Sequence, residues 1–164
     1  MAWTVVKTLP VELRLEVEDL YAEYCAALDE GRYEDWAALF TEDCLYRIVP
    51  RDNHDRGLPL AIMHCESRAM LEDRVTAIRE TSFYAPRMLR HIVSGIRVES
   101  PENGTIGGQA NYLVLQTLPE QPTTLFNAGR YLDIILRDEK KLRFKQRLCI
   151  FDSIVVPNSL IIPI

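Results

Sequence analysis

Between about Leu89 and Phe151 the chain runs through four long stretches of alternating apolar and polar residues, each closed by turn-forming residues. Alternation with a period of two sends successive side chains to opposite faces of a sheet, so this half of the chain is committed to strands. The clearest run is Leu142 to Phe151. Leu142, Phe144, Gln146, Leu148 and Ile150 share one face, and Arg143, Lys145, Arg147, Cys149 and Phe151 share the other. That pattern predicts an antiparallel strand with a wet, basic face. Thr124 to Arg137 predicts a second strand with Phe126, Ala128, Leu132, Ile134 and Leu136 toward the core, joined to the first by the polar turn Asp138-Glu139-Lys140-Lys141. A third runs from about Gln109 to Leu118 and stops at Pro119-Glu120-Gln121-Pro122, where proline removes a ladder donor. A fourth runs from about His91 to Glu99 and turns at Pro101-Glu102-Asn103-Gly104. Strands beyond the usual ~5–6 residues tend to curl. Gly129 stands where a bend or bulge helps them do so.

The first half reads as a helical cover. Leu13, Val17, Leu20, Tyr21, Tyr24 and Leu28 form one helical stripe over Val11 to Asp29, with acidic residues over much of the rest and Gly31 as its stop. A short helix follows from about Tyr33 to Phe40, then an extended run from Cys44 to Val49 read as an edge strand. Pro50 to Pro59 reads as a polar loop, and Ser67 to Arg79 as a third helix. Helices first and a strand meander after them is the α+β solution, with the helices segregated on one face of a curved antiparallel sheet. Such a sheet wrapped around its helices makes a cone. The expectation is one domain over residues 1–164, with a loose lead over 1–10 and an apolar tail over 154–164.

Composition narrows the partners. A net charge of −5 argues against nucleic acid or an anionic membrane. No stretch has the ~20 consecutive apolar residues of a membrane span, and the start lacks the basic and apolar regions of a signal peptide. Cys25, Cys44, Cys65 and Cys149 are scattered without paired spacing, which fits reduced thiols in the cytoplasm.

The chemistry-bearing residues are few. The histidines are His54, His64 and His91, and their spacing matches no known ligand pattern. Zinc motifs and phosphate-binding glycine loops are absent. Cys65 beside His64 lacks an orienting third group and reads as a structural thiol. A cone does offer a pocket, and Asp43, Tyr46, His91, Tyr112 and Tyr131 are candidates to line it for proton transfer. The densest cluster is Arg51-Asp52-Asn53-His54-Asp55-Arg56-Gly57, which suits ion pairs between chains. The apolar tail, with Leu160, Ile161, Ile162 and Ile164, also needs a surface to cover it.

These residues carry a resemblance. Tyr21-Ala22-Glu23-Tyr24, the run Trp36 to Tyr46, Asp52-Asn53-His54-Asp55-Arg56-Gly57-Leu58-Pro59, Met70-Leu71-Glu72-Asp73-Arg74-Val75, Arg90-His91-Ile92-Val93 and Phe151-Asp152-Ser153 occur in this order. The set resembles the small (beta) subunit of Rieske-type, ring-hydroxylating aromatic oxygenases over about Val17 to Ile164. The resemblance implies the nuclear transport factor 2-like cone and a mostly structural role without catalytic, cofactor or metal residues in this chain. It implies a large (alpha) subunit carrying a Rieske [2Fe–2S] cluster and a mononuclear Fe(II), assembled as three alpha plus three beta chains with beta–beta contacts. Electrons would come from NAD(P)H. The loop looks most like subunits acting on salicylate, benzoate, anthranilate or terephthalate, with salicylate 5-hydroxylase and its relatives nearest. On this reading Arg51, Asp52, His54, Asp55 and Arg56 serve subunit contacts, and Leu160 to Ile164 packs at an interface or seals the cone. Two other readings stand beside it: a stand-alone dehydratase or isomerase using the pocket, and a binding module that pairs through its sheet.

Overall fold

The protein is described by a computed structural model covering residues 9–82, 84–99, 104–153 and 160–164. The predicted turn at Pro101 to Asn103 and most of the apolar tail, 154–159, lie outside the described residues, as do residues 1–8 of the lead. Helix α1 (Val11–Asp29) buries Val17, Leu20, Tyr21, Tyr24, Ala27 and Leu28. Gly31 leaves it with φ +69°, the left-handed conformation that favours glycine at a helix end. Helix α2 (Tyr33–Ala38) is two residues shorter than its periodicity predicts, because the chain turns into strand β1 (Phe40–Pro50) at Phe40. Pro50 then opens a five-residue helix α3 (Arg51–Asp55), where a loop was expected. Its first N–H groups need no partner within a helix, so proline starts it without loss. After the short strand β2 (Met63–Cys65) comes α4 (Arg68–Thr76). Ser67 caps it by accepting the Met70 N–H at 3.3 Å, and one π-helical turn (Ala77–Thr81) extends it.

Strands β3 (Met88–Val98), β4 (Thr105–Thr117), β5 (Thr124–Asp138) and β6 (Lys141–Phe151) form the predicted meander. The six-stranded order is β2-β1-β6-β5-β4-β3. Residues 40–50 are therefore not an edge strand: β1 sits inside the sheet and runs parallel to β6, so the sheet is mixed rather than wholly antiparallel. The crossover that parallel pairing requires is the whole β1-to-β6 excursion. α1 packs against β3 and β6 on the concave face.

The largest departure from the sequence reading concerns which face points inward. Between β4 and β5, Val114 pairs with Asn127 and the next residue, Leu115, pairs with Leu125, which leaves Phe126 as an extra residue. Between β5 and β6, Ile134 pairs with Gln146 and Ile135 with Phe144, which leaves Lys145 extra. Each is a one-residue bulge, and each exchanges the faces of everything beyond it. Tyr131, Asp133 and Ile135 are buried inside, while Leu132, Ile134 and Leu136, expected in the core, point outward and are half-buried. In β6 the inward set switches from Leu142 and Phe144 to Arg147 and Cys149. No helix among the described residues is long and apolar enough to cross a membrane.

Candidate functional site

Arg147, read from the sequence as a wet positive charge, is 0% exposed at the centre of the cone. Asp133 on the neighbouring strand receives its Nε–H at 2.9 Å and its Nη2–H at 2.7 Å, a forked pair. Tyr21 from α1 also donates its hydroxyl to Asp133. The guanidinium carbon lies 4.0 Å from the Tyr24 ring centre, 4.2 Å from Tyr131 and 3.9 Å from Phe144. Burial opposes its charge, but the Asp133 carboxylate beside it holds the guanidinium protonated, above its ordinary value. The ion pair and its aromatic cage therefore fill the interior between α1, β5 and β6.

The tail occupies the adjoining space. Ile164 is fully buried. Its carbonyl oxygen accepts from Tyr24 Oη at 2.6 Å, from Tyr46 Oη at 3.0 Å and from Cys149 Sγ at 3.3 Å. Its N–H donates to Tyr46 Oη at 3.2 Å. Ile162 is buried as well, and Leu160 and Ile161 are half-buried against the core. Ile161 and Ile162 help line a cavity of about 10 Å³ with Tyr84, Arg87, Leu89 and Phe126. That volume is room for one water at most. Burial lifts the phenols of Tyr24, Tyr46, Tyr112 and Tyr131 above the usual tyrosine range and pushes the Cys149 thiol up to about 12, so all five are neutral at neutral pH. Removing the Tyr24 hydroxyl with Tyr24→Phe is expected to lower stability by about 1 kcal/mol, and Tyr46→Phe by more, because Tyr46 both donates to and accepts from Ile164. Urea unfolding of the two variants checks this order.

Of the five pocket candidates, Tyr112 and Tyr131 are brought into contact, and the five do not converge on one site. Asp43 stands on the surface, paired with Lys145, which lowers its carboxyl pKa. Tyr46 holds the tail. Tyr112 stacks on Tyr131 at 4.4 Å and donates to Asn127 Oδ1 at 2.7 Å. His91 is clamped by Asp29, which lies 2.6 Å from its Nδ1 and accepts its backbone N–H at 3.0 Å. Asp29, Asp133 and Arg147, the charged groups that organise the interior, escaped the sequence reading. Asp133 and Arg147 on facing strands were the available signal, hidden by the two bulges. The histidines do not converge either: His54 is on α3, while His64 and His91 lie on β2 and β3 at opposite edges of the sheet. Among the described residues no three His, Cys, Asp or Glu side chains are placed to share a metal ion.

The charged segment sits at the end of β1. Arg51 pairs with Asp152 beyond β6, His54 Nδ1 lies 3.1 Å from Asp55, and Arg130 reaches Asp55 at 3.9 Å. Asn53 donates to the Leu60 carbonyl at 3.1 Å, folding the following segment back. That segment exposes Leu58, Leu60 and Ile62. Asp52 and Arg56 are exposed and form no ion pair among the described residues.

Comparison with known proteins agrees with this architecture. Residues 10–148 match the SnoaL-like domain family. The chain is 38% identical to the anthranilate 1,2-dioxygenase small subunit of Burkholderia cepacia, covering 91% of this chain and 92% of that one. It is 31% identical to a terephthalate 1,2-dioxygenase terminal oxygenase component beta subunit of a Comamonas species, covering 92% and 97%. A solved structure from Novosphingobium aromaticivorans, a beta subunit assigned to an aromatic-ring-hydroxylating dioxygenase, superimposes with a TM-score of 0.83 at 34% identity, covering 93% and 98%. Matched over nearly its whole described length, the chain belongs to the SnoaL-like family, among the small (beta) subunits of aromatic-ring-hydroxylating dioxygenases.

Proposed function

We propose that this chain is the non-catalytic structural beta subunit of a cytoplasmic oxygenase that hydroxylates an aromatic carboxylate such as anthranilate, terephthalate, benzoate or salicylate. The similarity over nine-tenths of the chain to an anthranilate dioxygenase small subunit carries this reading. The cone's contents support it: an ion pair, four aromatic rings and the chain's own tail occupy the interior. The large subunit then holds the Rieske cluster and the mononuclear iron, and the assembly contains three of each chain with contacts between beta copies. Co-expression with the large subunit tests this. Iron and NAD(P)H-dependent turnover are expected only in the co-purified complex, at a native mass for three of each chain. An iron-free chain that ignores the large subunit would overturn it.

The α3 segment is the proposed contact with the large subunit. The side chains of Asp52 and Arg56 form no ion pair among the described residues, and three exposed apolar side chains lie in the segment that follows, a combination of charge and apolar surface that interfaces use. Arg56→Glu is expected to weaken assembly at least tenfold, about 1.4 kcal/mol, with the isolated chain's unfolding unchanged. Binding of the variant to the large subunit, measured by native mass spectrometry, checks it.

A further inference from the structure

Where β3 begins and β4 stops, the sheet ends beside a positive charge held by neutral groups. Arg87 stands just before β3 and is half-buried. Its Nε–H donates to the Ala85 carbonyl at 3.3 Å and its Nη1–H to Gln116 Oε1 at 3.1 Å. Gln116 is itself buried, so the second anchor is a fixed one. Arg87 forms no ion pair among the described residues, and its Nη2 makes no hydrogen bond to them. A guanidinium carries five N–H donors in one plane, and a carboxylate matches its forked edge. A half-buried charge without a counter-charge is costly, so an incoming anion supplies what the chain does not.

The surroundings are apolar. Tyr84, Leu89, Phe126, Ile161 and Ile162 line one recess with Arg87, and the guanidinium carbon lies 5.6 Å from the Tyr84 ring centre. The recess of about 10 Å³ has room for one oxygen and no more, so the body of a ligand lies at its rim. Tyr84 and Ile161 keep part of their surface in solvent and offer that body an aromatic and an aliphatic contact. A phosphate dianion fits less well, since one guanidinium leaves it with excess charge against an apolar lining.

We propose that Arg87, framed by Gln116 and Tyr84, is a binding site for a carboxylate carried on an apolar group. Leu89 pairs with Gln116 and Gln116 with Thr124, while Gly129 and Pro50 both pair with Phe151. The site therefore lies at the same end of the sheet as α3. Two sources of the carboxylate meet it there: a free aromatic acid, or an acidic side chain of the large subunit. The second source rests on the reading of this chain as an oxygenase subunit; the site itself does not.

The test titrates sodium benzoate, benzamide and inorganic phosphate into the full chain while NMR follows the Arg87 Nε–H. For a free acid the expected result is a saturable shift with benzoate alone. Arg87→Gln weakens it at least tenfold, and Arg87→Lys less, because lysine keeps the charge and loses the fork. In parallel, native mass spectrometry measures each variant's affinity for the large subunit, with urea unfolding as the check that the fold is kept. An affinity loss of at least tenfold in Arg87→Gln, partly recovered in Arg87→Lys and without a benzoate response, assigns the carboxylate to the large subunit. An equal response to benzamide or to phosphate overturns the proposal, because the site then reads the ring alone or any anion. Absence of both the benzoate response and the affinity loss overturns it too. A wild-type chain that ignores the large subunit defeats the subunit reading instead, and benzoate alone then decides the site.

Discussion

Arg147→Ala is expected to cost about 3–5 kcal/mol of folding stability, because it leaves Asp133 ionised and buried with its forked partner gone. Both side chains are fully buried, so water does not replace the lost guanidinium. The truncation also opens a void among Tyr21, Tyr24, Tyr131 and Phe144, all of which pack their rings on that group. Urea unfolding measures the effect as a fall in midpoint at unchanged slope. A companion variant separates the pair's attraction from the penalty of a stranded charge. Replacing both residues with apolar groups of similar size, Asp133→Leu with Arg147→Met, is expected to recover most of the loss, as buried pairs commonly allow. Tyr21→Phe removes one hydrogen bond to the carboxylate and is expected to cost about 1.5–3 kcal/mol. A loss below 1 kcal/mol for Arg147→Ala would mean that the guanidinium is not buried, and the filled cone would go with it.

That residue also marks how far the sequence could be read. The helices and the four C-terminal strands were legible because long runs keep one period, and periodicity is local. α1 and the hairpin of β5 and β6 follow from it almost to the residue. What periodicity does not carry is a change of phase. Phe126 and Lys145 each insert one residue without any signal such as a glycine or proline, and beyond each of them the inner and outer sets exchange. Hence Leu132 and Ile134 were expected in the core and Arg147 in water, whereas both apolar residues point outward, half-buried, and Arg147 is fully buried. The long-range pairings were equally silent. The parallel union of β1 with β6 joins residues about a hundred positions apart, and the clasp of Ile164 by Tyr24 and Tyr46 spans still more. The α3 cluster was visible as a composition, but only its place at the end of β1 shows which of its charges form no ion pair among the described residues.

Gly129→Ala is expected to be the other most damaging single change, about 3 kcal/mol, at the upper end of overpacking costs. A Cβ there would lie 2.1 Å from the Ile150 carbonyl oxygen and 2.8 Å from the Phe151 Cα. Both obstacles are backbone, so no side-chain rotation relieves the clash, and the Gly129–Phe151 pairing of β5 with β6 must open. Opening it moves the neighbouring Asp152, whose N–H donates to the Ala128 carbonyl at 2.9 Å and whose carboxylate holds Arg51 at the start of α3. The damage therefore travels to the proposed large-subunit contact, and this variant should lose assembly as well as stability, unlike Arg56→Glu, which should lose assembly alone. Gly57→Ala is the control: its φ of +64° strains an alanine, but nothing lies within 4 Å of the added carbon, and the expected cost is about 1 kcal/mol. Urea midpoints with hydrogen exchange at residues 128–130 decide the matter. Equal losses for the two glycine variants, or full protection of those amides in Gly129→Ala, would show that β5 and β6 are not in this close contact.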